Sequence, residues 1–129
     1  MRILVVDDQF KSRWAVADWL AVFLDSVAIE SAASGNEALA ILDARKADLV
    51  LAAHPMPGMD GLTLTRRLKA RSDPPLVAVM ADTVNTEFEA LCEAAGADFW
   101  LEKRHLQARF LAFLQQRFSL RVVPQSILR

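Results

Sequence analysis

Short apolar runs alternating with helix-period segments predict an α/β fold, a five-stranded parallel sheet in the order 2-1-3-4-5 with five helices laid over its two faces. Three observations carry this expectation. Ile3–Val6, Leu49–Ala52 and Leu76–Met80 are continuous apolar runs of strand length, which suits strands buried on both faces. Each is followed by a segment whose apolar residues recur at helical spacing. Gly35, Gly61 and Gly96 punctuate the ends of those segments.

Taken in order, the first strand is Ile3–Val6 and the first helix Phe10–Leu24, where Ala15, Val16, Trp19, Leu20 and Phe23 make an i, i+1, i+4, i+5, i+8 stripe wide enough to cover a sheet. Phe10, Trp14, Ala17 and Ala21 form a second stripe, which neighbouring helices or the segment Val122–Leu128 are expected to cover. The second strand is Val27–Ser31 and the second helix Asn36–Lys46, entered at Gly35. The third pair is Leu49–Ala52 with Leu62–Ala70, entered at Gly61. Pro74 and Pro75 open the fourth strand, Leu76–Met80, where a missing amide donor costs least. Thr86–Ala94 follows as a helix closed by Gly96, then the strand Phe99–Leu101 and the helix Leu106–Phe118. Residues 1–118 thus read as one domain, and Ser119–Arg129, interrupted by Pro124, as a tail. For five β-α units with right-handed crossovers, the flavodoxin-like strand order is the common solution.

A length of 129 residues with 53% hydrophobic and 24% charged residues excludes a disordered chain and leaves room for one core. Ala15–Leu24 is broken by Asp18 and is short of the roughly 20 apolar residues needed to cross a bilayer. The opening Met1–Asp8 has no apolar h-region of a secretory signal, so cytoplasmic residence is expected. Cys92 alone makes no internal disulfide and reads as a small buried hydrophobe. Lys103, Arg104, Arg109, Arg117, Arg121 and Arg129 make the C-terminal end basic, with no acid among them. A basic nucleic-acid-binding module is therefore an alternative reading, weakened by the absence of aromatic interleaving and by the acidic remainder. An enzyme is not expected, because no Gly-rich phosphate loop follows a strand and no Ser-His-Asp or Cys-His set is assembled.

In open parallel sheets, ligands sit beyond the carboxyl ends of the strands. Asp7 and Asp8 end the first strand; such a pair suits a cation, or one of them caps the helix from Phe10. The next feature is more specific. Asp48-Leu-Val-Leu-Ala-Ala-His-Pro-Met-Pro-Gly-Met-Asp-Gly61 resembles the third strand and following loop of response-regulator receiver domains, whose pattern runs D-L-V-L-L-D-x-x-M-P-x-M-D-G. Lys103, after Gly96-Ala-Asp-Phe-Trp-Leu-Glu, matches the lysine that ends their fifth strand, and Asp7 and Asp8 match their acidic pair. This likeness, spanning Met1 to about Phe118, implies a CheY-like fold and a bacterial two-component or phosphorelay role.

Two positions depart from the family, and they carry its chemistry. Ala53 stands where the phospho-accepting aspartate belongs, and Met80 where the family has a serine or threonine that binds the phosphoryl oxygen. A methyl offers no nucleophile, and a thioether cannot donate to phosphate. Arg104 replaces the usual proline after the lysine, so a cis peptide is not expected there. Magnesium takes about six oxygen ligands, so Asp7 and Asp8 would hold it only weakly, and Lys103 is expected to pair with the two carboxylates in its absence. No other cofactor is expected. Phosphorylation of His54 or Asp60 is a further alternative. His54, next along the strand, is expected to point away from Ala53, and Asp60 to cap the helix from Leu62.

The function implied is a pseudo-receiver that acts by binding a signalling protein, independently of phosphorylation. Phe10 and Trp14 are candidate partner-surface residues on the first helix. In the family, the face of the fourth helix, fifth strand and fifth helix meets partners or dimerises, which makes Glu87, Trp100 and Arg109 candidates there. Trp100 holds the family's switching aromatic position, and the expectation is that it rests against the fourth helix.

Overall fold

The computed structural model describes residues 1–118. Five parallel strands, β1 (Arg2–Val6), β2 (Ala28–Ala32), β3 (Leu49–His54), β4 (Leu76–Ala81) and β5 (Phe99–Glu102), lie in the order β2-β1-β3-β4-β5. Helices α1 (Phe10–Phe23), α2 (Gly35–Ala44), α3 (Gly61–Lys69) and α4 (Thr86–Ala95) follow the first four strands, and α5 (Leu111–Phe118) the fifth. The predicted α/β class, strand order and five helices are those observed. The central strands are fully buried, as their continuous apolar runs require: Ile3–Val6 and Leu49–Ala53 have almost no exposure, nor do Val77–Met80.

The helix boundaries follow from local chemistry. Ser34, Asp60 and Asn85 each cap a helix by accepting the backbone N–H three residues on. Gly96 ends α4 in the left-handed conformation, φ 90°, which glycine adopts without strain. Cys92 lies on the inward side of α4; burial, with Glu89 nearby, pushes its thiol up to about 11.

Two expectations need correction, and a third falls partly outside the described residues. The stripe of α1 that meets the sheet is narrower than the spacing suggested: Val16 and Leu20 are buried, Trp19 and Phe23 partly so, while Ala15 is exposed. The second stripe is uncovered among the described residues at Phe10 and Trp14, and the expected cover Val122–Leu128 lies outside them. The last helix is not uniform. A tight turn at Lys103–His105 and a wide, π-type turn at Leu106–Phe110 precede α5. Such a turn is rare and has no signature in apolar spacing. The tail assigned to 119–129 also lies outside the described residues.

No helix among the described residues is long and apolar enough to cross a membrane.

Candidate functional site

The carboxyl ends of β1, β3, β4 and β5 bring the predicted site residues to one edge of the sheet. Val6 is in register with Ala52, Ala53 with Met80, and Ala81 with Glu102. Asp7 is therefore presented from β1, Ala53 from β3, and Lys103 from the turn after β5. Asp7 is fully buried. Its Oδ2 accepts from Lys103 Nζ at 3.3 Å and its Oδ1 from the Gln9 N–H at 3.0 Å. Lys103 Nζ also donates to Ser12 Oγ at 3.2 Å. β3 and β4 lie between β1 and β5, so this ion pair joins the ends of two strands that are not neighbours in the sheet.

The expected pairing of Lys103 with both aspartates is only half realised. Asp8 is exposed and has no ion-pair partner among the described residues. Successive side chains alternate across an extended chain, so one lysine at this edge reaches Asp7 alone. Neither aspartate takes the cap position of α1 either. Gln9 occupies it and makes no side-chain capping bond, while Arg13 donates to the Asp7 carbonyl at 2.8 Å.

Ala53 keeps 2% of its surface and Met80 none, so the end of β3 presents a methyl group packed beside a thioether. Gly61 closes over this place. A Cβ on Gly61 would overlap the Ala53 carbonyl oxygen and lie 3.1 Å from its carbon. The glycine is thus the residue that lets α3 start against β3.

In the same loop, Asp60 Oδ1 accepts the Thr63 N–H at 2.8 Å. Partial burial works against ionisation of Asp60, but the Thr63 hydrogen bonds, with His54 and Arg66 nearby, hold its carboxyl below the ordinary value. Asp60→Ala should cost about 1 kcal/mol. A lowered carboxyl contributes its stability above the unfolded carboxylate value and loses it as pH falls through the folded one. The gap between wild type and Asp60→Ala in urea unfolding is therefore expected to be full at neutral pH and to close below the ordinary aspartate value of 3.8.

His54 packs its ring 5.4 Å from that of Phe88 on α4, and its Nδ1 is buried, 4.0 Å from Asp60 Oδ1 and without a hydrogen bond among the described residues. The peptide between His54 and Pro55 is cis, whereas no cis peptide follows Lys103 among the described residues.

Trp100 rests against α4, its indole N–H donating to Glu89 Oε2 at 3.1 Å. Glu87, the acid singled out from the sequence, is exposed and not part of this contact. The signal for Glu89 was the phase of α4: Asn85 caps it and Phe88 and Cys92 face inward, which turns the position after Phe88 toward β5. Arg109 stacks over Phe99, its guanidinium 5.3 Å from the ring centre.

The family profile described as the response regulator receiver domain matches residues 3–115. The chain belongs to the receiver domain family. This receiver is similar to the positive alginate biosynthesis regulatory protein of Pseudomonas aeruginosa, 41% identical over 68% of this chain and 35% of that protein. It is also similar to the response regulator MprA of Mycolicibacterium vanbaalenii, 34% identical over 90% of this chain and 51% of that protein. The receiver therefore spans about half or less of these curated relatives. Among solved structures, the chemotaxis protein CheY4 of Vibrio cholerae superposes with a TM-score of 0.78 at 26% identity, covering 89% of this chain and 96% of that one. The receiver domain of the histidine kinase CKI1 from Arabidopsis thaliana, complexed with Mg2+ and BeF3−, gives 0.72 at 26% identity, covering 90% of each. The chain is thus a CheY-like receiver of two-component signalling.

Receiver domains typically bind Mg2+ for phosphorylation, and the donor set here does not fit that ion. One carboxylate, Asp7, is already engaged by Lys103 and Gln9, the second, Asp8, is exposed, and Ala53 at the end of β3 offers no side-chain oxygen. Among the described residues no group of three or more His, Cys, Asp or Glu side chains could hold a metal.

Proposed function

We propose that this receiver transmits its signal by binding a protein partner without being phosphorylated. The observation that carries the reading is the register pair Ala53–Met80 at the centre of the site. An acyl phosphate needs a carboxylate nucleophile, and its recognition needs a hydroxyl donor; both places hold apolar side chains. The Asp7–Lys103 pair supports the same reading, since it holds the acidic pocket together without a metal. Partner binding at the face of α4, β5 and α5 is supported by Trp100 and Arg109, where half-buried aromatic surface is rimmed by Glu89 and Asp98. Two of the basic residues after β5 are tied up in ion pairs, Lys103 with Asp7 and Arg104 with Glu102, which supports a protein rather than a nucleic-acid partner.

The test is intact-mass spectrometry after incubation with acetyl phosphate and magnesium, read promptly because acyl phosphates hydrolyse. No added mass is expected, and the gain of one phosphoryl group would overturn the proposal. Magnesium titrated by calorimetry is expected to bind no tighter than on the order of millimolar, because Asp7 and Asp8 are the remaining side-chain oxygens. A micromolar constant would show that another oxygen completes the site.

A further inference from the structure

Helix α1 carries an outward face left open among the described residues. Val16 and Leu20 mark its inward side. At 3.6 residues per turn, Asp18 lies diametrically opposite, with Trp14 and Phe10 on one flank and Lys11 and Val22 on the other. Phe10 is 68% exposed, Trp14 62% and Val22 44%, a concentration of large apolar surface on one helix. The Arg13 guanidinium, itself tied to the Asp7 carbonyl, stacks 5.6 Å from the Phe10 ring centre and steadies that ring from within.

Phe10, Trp14, Asp18 and Val22 make a single i+4 ridge, the kind that interdigitates with another of its kind in the commonest class of helix pairing. Read backwards, the ridge complements itself. Set antiparallel about a two-fold axis near position 16, Phe10 meets Val22 of the second copy and Trp14 meets Asp18, and symmetry makes each contact twice. The Trp14 indole N–H then has a carboxylate acceptor. Lys11 comes opposite Ala21 and diagonal to the second copy's Asp18, so the charges are complementary as well.

We infer that α1 is a self-association surface on which two copies of this chain pair antiparallel through Phe10, Trp14, Asp18 and Val22. This deepens the interaction reading by naming one partner, a second copy. It fails separately, since the phosphoryl test reads the chemistry at Ala53 and this one reads the mass of the assembly. Two aromatics per copy form a patch at the small end of specific interfaces, so the dimer is expected to be weak and reversible.

Sedimentation equilibrium of the full chain, from a few to several hundred micromolar, tests the inference. A reversible dimer is expected. Trp14→Glu, at an exposed position, should leave the circular dichroism spectrum unchanged while weakening the dimer by about 30-fold, the effect of removing a central tryptophan. Lys11→Asp should weaken it less, and Lys11→Asp with Asp18→Lys should recover part of that loss. A monomer at every concentration, or a dimer that Trp14→Glu leaves intact, would overturn the inference.

Discussion

Gly61→Ala is expected to lower the stability of this receiver by about 1–3 kcal/mol. The added Cβ would collide with the Ala53 carbonyl oxygen and crowd His54 Cβ at 3.2 Å. Neither neighbour is the free end of a flexible side chain. Relief requires α3 to move as a body away from β3, which unseats Leu62, Leu64 and Leu68 from the core. Asp60 would be carried along and its cap on Thr63 loosened. Urea unfolding followed by circular dichroism checks this. A loss below about 0.5 kcal/mol, the range of ordinary surface substitutions, would mean that the loop yields without cost and that glycine is not needed for this approach.

Lys103→Met is expected to cost about 2–3 kcal/mol. The substitution keeps the apolar stem of the side chain and removes the ammonium, which leaves Asp7 buried with only the Gln9 N–H as a donor to its side chain. Breaking a wholly buried ion pair costs about 3–5 kcal/mol, and the figure here is set lower because the Lys103 side chain keeps 27% of its exposure. Asp7→Asn should restore much of the loss, because a neutral amide tolerates the site without a cation. The double-mutant cycle in thermal unfolding isolates the pair: a coupling of at least about 1 kcal/mol is expected. Additive losses would instead show that Lys103 stabilises the fold through its stem and through Ser12.

Much of the site is legible in the residue order alone because receiver chemistry is written in contiguous motifs. The loop Met56-Pro57-Gly58-Met59-Asp60-Gly61 names its own turn and helix cap, and Ala53 is located by counting back from it. What is not legible there depends on direction. Asp7 and Asp8 are neighbours of equal chemistry, yet one is sealed in and the other faces water. Glu87 and Glu89 differ by two positions on α4, and only the second reaches Trp100. The π-type turn at Leu106–Phe110 shifts the helical phase with no mark in the residue pattern.

The sequence by itself determined the α/β class, the strand order and the cap at Asp60. These follow from composition and spacing over a few residues, where propensity and covalent chemistry act without reference to the rest of the chain. Only the tertiary structure decided that Lys103 reaches Asp7 alone, that Gly61 meets the Ala53 carbonyl, and that α1 turns Phe10 and Trp14 outward rather than inward. The sheet accepts one narrow stripe of α1, so apolar residues in excess of that stripe must find another neighbour or face water, and spacing along a helix cannot say which.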